Sequence, residues 1–245
     1  MKVSKKTPDR FLKPHIFSRP IRIIMKILAI HGSPRTMQSS TRKLASFVLA
    51  GAAEAGAETE IVDLADLRIV PCTACDACAI NGICVNDDDV AGLVARMKEA
   101  DAVVFGSPVY IDNVSGQMKV FFDRLADAIH YQQLAGKYGC SVATTAESGG
   151  DDVVAYQNHV LNYLGAVAVG GIRVALGAKP SALAEAEPAA RALGKKLAAA
   201  VRDGYRDPAQ EAAIADNRSY FAAIVRENQD FRPEEYGRWE KAGWL

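Results

Sequence analysis

Five short apolar runs, each ending in or near Gly, Ser, Thr or Pro, alternate with longer amphipathic stretches from Lys26 onward, and this alternation leaves the chain few folds. The runs are residues 26–31 (KILAIH), 59–64 (TEIVDL), 101–106 (DAVVFG), 140–145 (CSVATT) and 169–176 (VGGIRVAL). The stretches 41–55, 88–100, 116–129, 151–164 and 183–201 carry helical periodicity. Strands that are apolar on both faces belong to a parallel sheet covered by helices on both sides. Five β-α units with no further run of strands predict a doubly wound α/β sheet of five parallel strands in the order 2-1-3-4-5. In such a sheet, ligands bind beyond the carboxyl ends of the strands where the winding reverses. The site is therefore expected in the loops after the first, third and fourth strands.

Charge removes several classes of partner. The 245 residues include 29 Lys and Arg against 29 Asp and Glu, so no global field holds nucleic acid or an anionic membrane. No apolar run reaches bilayer length, since 23–30 is interrupted by Lys26 and followed by His31 and Gly32. Four of the five cysteines fall within thirteen residues, unlike a secreted disulfide scaffold. A soluble, cytoplasmic protein is expected. Residues 1–24 read as a basic, flexible extension, with Lys2, Lys5, Lys6, Arg10, Lys13, Arg19 and Arg22 opposed only by Asp9, or as a stretch ahead of a true start at Met25. Residues 25–204 make the main domain. Residues 205–245 read as a helical tail whose Tyr220, Phe221, Tyr236, Trp239 and Trp244 suit a subunit contact.

The first loop, residues 32–41, reads GSPRTMQSST and opens into a helix. A helix N-terminus offers unpaired N–H groups and a partial positive charge, so Ser33, Ser39, Ser40 and Thr41 can cradle a phosphate while Arg35 adds a full charge. The same hydroxyls serve equally well as a helix cap with no ligand. Neither G-x-G-x-x-G nor G-x-x-x-x-G-K-[ST] occurs, which leaves a monophosphate cofactor rather than a dinucleotide or a nucleoside triphosphate. After the third strand comes GSPVYIDNVSGQMK, residues 106–119, leading into FFDRLADAI. GSPR followed by hydroxyls, then SPVY with a downstream K-x-F-x-D-R, resembles the NAD(P)H-dependent FMN reductases of the flavodoxin-like superfamily over roughly residues 25–200. The resemblance implies FMN, with its phosphate in the first loop and its ring along Pro108, Val109, Tyr110 and Asn113. A proline-stiffened segment with an aromatic supplies the flat apolar wall such a ring needs. The loop after the fourth strand, with Thr144, Glu147, Gly149 and Gly150, resembles the family's third flavin loop, where glycines admit close backbone approach. Lys119, Asp123 and Arg124 read as charges that pair or face solvent on one side of a helix.

After the second strand, within residues 70–88, Cys72, Cys75, Cys78 and Cys84 form a C-x2-C-x2-C-x5-C run. Three thiolates at successive short spacings wrap one small object, as in ferredoxin loops that hold a [4Fe–4S] cluster. Four-cysteine zinc sites use two separated pairs instead, and a buried cysteine can equally be a small hydrophobe. Within the flavodoxin-like set the spacing is similar to that of the iron-sulfur flavoproteins. That resemblance implies one-electron exchange with a carrier such as ferredoxin and a homodimer or homotetramer. Without the cluster, the expectation is an NAD(P)H-dependent reductase of flavins or quinones working by ping-pong hydride transfer. A non-catalytic FMN- or zinc-binding module is the third reading. The flavin carries the chemistry in the first two, so no catalytic acid or base is assigned. Cys140 is expected in the core, and His31 as a hydrogen-bonded packing residue.

Overall fold

The structure, a computed structural model, describes residues 24–177 and 179–245. The expected basic extension lies, but for Ile24, outside the described residues. In chain order the elements are β1 (Met25–His31), α1 (Ser40–Glu54), β2 (Ala57–Asp63), α2 (Ala77–Asn81), α3 (Val90–Glu99), β3 (Ala102–Tyr110), β4 (Asn113–Val114), α4 (Gly116–Asp123), α5 (Ala126–His130), β5 (Tyr138–Thr145) and α6 (Gly150–Tyr163). After these come β6 (Val167–Ala175), α7 (Ala182–Glu185), α8 (Glu187–Asp203), α9 (Pro208–Glu227) and α10 (Pro233–Lys241).

Five parallel strands lie in the order β2-β1-β3-β5-β6, and two-residue β4 pairs antiparallel with the end of β3. Setting β4 aside, this is the flavodoxin-like order expected from the sequence. Alternate residues of each strand enter opposite layers. Leu28, Ile30, Val103 and Phe105 meet Met118, Phe121, Phe122 and Leu161 on one face. Ile27, Ala29, Val104 and Val142 meet Leu44, Val48 and Leu197 on the other. In the second layer α1 and α8 touch backbone to backbone: a Cβ on Gly51 would stand 2.0 Å from the Arg191 carbonyl oxygen, and one on Gly194 1.9 Å from that of Val48.

Three expected elements differ. The third strand runs on to Tyr110, so SPVY is strand rather than loop. The helix expected over 116–129 breaks at Arg124 and Leu125, whose N–H groups donate to Phe121 and Phe122 at 3.0 Å, a tightened turn that ends α4. The helix expected over 183–201 divides because Pro188, in the first turn of α8, has no N–H to continue the ladder from α7.

The tail folds back on its own domain. Gln210 clamps the start of β6, accepting from the Ala168 N–H at 2.8 Å and donating to its carbonyl at 2.9 Å. Gln132 donates to the Ile214 carbonyl at 2.8 Å and accepts from Arg218 at 2.9 Å. Phe221, Val225 and fully buried Trp239 pack with Ile129 and Tyr131 as a third apolar cluster. Part of the aromatic set expected at a subunit contact is thus used within the chain, while Tyr220 and Phe231 stay exposed.

Candidate functional site

Register sets the carboxyl ends of the strands level with one another. His31 stands beside Asp63 on β2 and Gly106 on β3, and Pro108 stands beside Thr144 on β5. Polar groups then tie the three loops together. The Ser115 hydroxyl donates to the Gly32 carbonyl, Gly32 N–H donates to Gly106 at 2.8 Å, and the Thr41 and Thr144 hydroxyls share a short hydrogen bond.

In the first loop the structure separates the expected phosphate residues by task. Ser39 caps α1, its hydroxyl oxygen accepting from the Arg42 N–H at 3.3 Å. It is also held by His31, whose Nε2 lies 3.0 Å from the Ser39 hydroxyl while Nδ1 lies 2.6 Å from Asp63. Asp63 in turn accepts from Arg42 Nε at 2.8 Å. His31 is fully buried, and burial pulls its ring below the ordinary value of 6.5 against the opposing pull of Asp63. Sequence reasoning placed His31 at the strand end but missed Asp63 and Arg42; a carboxylate at the carboxyl end of TEIVD was the available signal. With the Ser39 and Thr41 side chains engaged in the frame, and Ser33 and Thr41 themselves buried, the donors left without an acceptor are others. Among the described residues no acceptor meets the backbone N–H groups of Ser40 and Thr41, or the Ser40 hydroxyl. Ser33 accepts from the Arg35 N–H at 3.2 Å and keeps its own proton to donate. Exposed Arg35 pairs with no carboxylate among the described residues. Unpaired donors around a helix N-terminus are the complement of a phosphate.

Beyond β3 the chain turns through Ile111 and Asp112, both left-handed at φ of 50° and 54°, in a two-residue hairpin into β4. Non-glycine residues rarely adopt that conformation. Here it thrusts Ile111 outward, 98% exposed, beside half-exposed Tyr110. Asn113 is exposed, its side-chain oxygen accepting from the Val114 N–H at 2.8 Å. Gly149, left-handed at φ 76°, opposes this hairpin so closely that a Cβ there would stand 2.8 Å from Asp112 Oδ1 and 3.1 Å from Val109. Thr144 and Gly150 are buried, and Glu147 is exposed. The residues expected along a flavin ring thus come from two segments that meet.

The cysteine loop joins β2 to α3. Each two-residue gap between Cys72, Cys75 and Cys78 holds one left-handed residue, Ala74 at φ 52° and Asp76 at φ 56°, strained turns of the kind found where a ligand dictates the path. Donors face the sulfurs: Ala74 N–H at 3.4 Å from Cys72 and Arg124 Nη2 at 3.3 Å from Cys84. The Ala77 N–H is the main cause that holds the Cys75 thiol below its ordinary value, and burial pushes Cys78 up. Cys72, Cys78 and Cys84 line one cavity of about 570 Å³ with Asp88, Arg124 and Asp127. All four thiols are free, and no three metal-ligating side chains converge as on a single ion among the described residues. Cys140 is buried in β5, which pushes its thiol up to about 12. Lys119 and Asp123 pair on an exposed face, whereas Arg124 is buried against this loop rather than facing solvent with them. A second cavity of about 390 Å³ lies between Ile69 and Pro71 of the loop and Gly116 and Gln117 of α4, so the loop borders the segment that follows the hairpin.

Residues 25–181 match the family model described as NADPH-dependent FMN reductase. An iron-sulfur flavoprotein of Archaeoglobus fulgidus is 33% identical over 224 residues, covering 90% of this chain and 100% of that protein. Another, from Methanocaldococcus jannaschii, is 40% identical over 136 residues, 55% of this chain and 70% of its own length. Among solved structures, an FMN-dependent NADH-azoreductase of Bacillus anthracis in complex with FMN superposes with a TM-score of 0.56 at 16% identity, covering 71% of this chain and 100% of that one, which speaks for the fold. The chain belongs to the NADPH-dependent FMN reductase family, in its iron-sulfur flavoprotein subgroup.

Proposed function

We propose that this flavin-dependent oxidoreductase binds FMN across the three loops and a [4Fe–4S] cluster in the cysteine loop, passing electrons between a carrier such as ferredoxin and the flavin in the cytoplasm. What supports this reading is two donor sets: unpaired N–H groups and the Ser40 hydroxyl at the N-terminus of α1, and four free thiols in a loop whose turns at Ala74 and Asp76 are strained and which borders the start of α4. Ser33, Arg35, Ser40 and the first amides of α1 would hold the phosphate, with Ser39 and Thr41 fixing the frame. Pro108, Val109, Tyr110 and Asn113 on one side and Thr144, Glu147, Gly149 and Gly150 on the other would enclose the ring. Cys72, Cys75, Cys78 and Cys84 would be the iron ligands, and N–H groups aimed at their sulfurs suit thiolates that carry negative charge. FMN accepts electrons singly or as a pair and so joins one-electron and hydride donors, NAD(P)H among them. The residues bind, orient and screen the cofactors and transfer no proton themselves.

Anaerobic purification followed by flavin, iron, sulfide and zinc analysis tests the reading. About four irons and four sulfides per chain beside one flavin are expected. Flavin without iron or sulfide would replace it with a cluster-free NAD(P)H-dependent reductase, and bleaching by NADH or NADPH would then identify the donor.

A further inference from the structure

Arg124 occupies the break between α4 and α5, and its guanidinium reaches three parts of the cysteine loop at once. Nη1 donates to the Val70 carbonyl at 2.6 Å and to Asp88, and Nη2 donates to Asp88 at 3.2 Å and to Cys84 Sγ at 3.3 Å. The side chains of Arg124 and Asp88 are 3% and 1% exposed. Asp88 also accepts from the N–H groups of Val70 at 2.8 Å and Val90 at 3.2 Å. Val70 and Asp88 stand at the two ends of the segment that carries all four cysteines, so one side chain ties both ends to one sulfur.

Burying an ion pair carries a desolvation penalty, and hydrogen bonds between neutral groups would close a loop without it. What the guanidinium adds is a cation against sulfur. Its planar fork makes four hydrogen bonds here, to the Val70 carbonyl, both Asp88 oxygens and the Cys84 sulfur, one more than the three protons of an ammonium allow. Of the other three carboxylates lining the cavity, Asp127 is engaged by Arg238 at 2.8 Å and Gln133 at 3.0 Å, Asp123 is engaged by Lys119, and Asp87 makes no ion pair with Arg124. Hydrogen bonds and positive charge at ligand sulfurs stabilise the more negative, reduced state of an iron-sulfur cluster.

We propose that Arg124 is a positioning residue for the cluster, holding Cys84 in place as a ligand and raising the cluster's reduction potential through its N–H to sulfur bond. The inference rests on reading the cysteines as [4Fe–4S] ligands. Two variants of the whole chain test it: Arg124→Lys, which keeps the charge without the fork, and Arg124→Met combined with Asp88→Asn, which leaves no buried carboxylate unpaired. Flavin, iron and sulfide per chain are measured, with the cluster's midpoint potential from an EPR-monitored titration. Both variants are expected to keep flavin, to hold less iron and to titrate at lower potential, with Arg124→Lys the milder. A potential equal to wild type, with iron full or depleted, overturns the proposal, because a merely structural tie changes cluster occupancy alone. A wild-type chain that binds flavin without iron or sulfide sinks the cluster reading itself, and this inference with it.

Discussion

Single residues fix how the loop after β1 responds to acid. His31 lies fully buried between Asp63 and Ser39 with its proton affinity pulled down by burial. The unfolded chain therefore binds a proton at this residue more readily than the folded one, and the stability it contributes is present above 6.5 and lost progressively as pH falls below 6.5 through the lowered folded-state value. Glu235 is also buried. Desolvation opposes its charge, but the hydrogen bond from His130 and the charge of Arg232 hold it below 4.5, so its contribution disappears as pH falls further. Denaturant melts from pH 8 to pH 4 should show stability declining through the first window, and His31→Gln should flatten that decline while costing about 1–3 kcal/mol at neutral pH. His31 itself was readable as a hydrogen-bonded strand-end residue. Its partners were not, because Asp63 becomes a neighbour only through the parallel pairing of β1 with β2. Arg124 escaped for the same reason: Cys84 and Asp88 become its neighbours only when the loop after β2 folds against the end of α4.

At the scale of elements, the hairpin and the loop after β5 act as a pair. Gly149 has no room for a side chain against Asp112 and Val109, and its φ of 76° strains any other residue. Gly149→Ala is expected to cost about 1–2 kcal/mol of stability and to weaken flavin binding by about tenfold, read by fluorescence titration of the apoprotein. The apolar runs made β1 and the start of β3 legible to within a residue because burial on both faces leaves no alternation to misread, and β2 was found despite its exposed residues 58–60. The end of β3 was misjudged because proline and serine in SPVY signal a loop, whereas pairing with β4 keeps the segment extended. The tail shows the opposite limit. Its aromatics predicted a contact, but composition carries no information on whether that contact lies within one chain or between two. Trp239→Ala is expected to destabilise the chain by about 3–5 kcal/mol, measured by denaturant unfolding.

For the whole molecule, strand order and family were legible from alternation and three loop motifs, and the sheet confirms the order with β4 as its one addition. The exposed Tyr220 and Phe231 of the tail and Ile111 of the hairpin remain available to a second subunit. Light scattering is expected to report a dimer or tetramer, and a monomer would assign these residues to the surface of a lone chain. Helix α10 carries a different consequence. Arg232 holds Asp76 at 2.9 Å, Glu234 lies against Gly82, and Arg238 reaches the Cys78 carbonyl at 3.4 Å, so this helix covers the segment that carries the thiols. It is encoded well over a hundred residues downstream of them. During translation the ribosome therefore releases the four cysteines long before it makes the helix that packs on Cys78, and iron taken up by the proposed ligands in that interval would reach them ahead of α10.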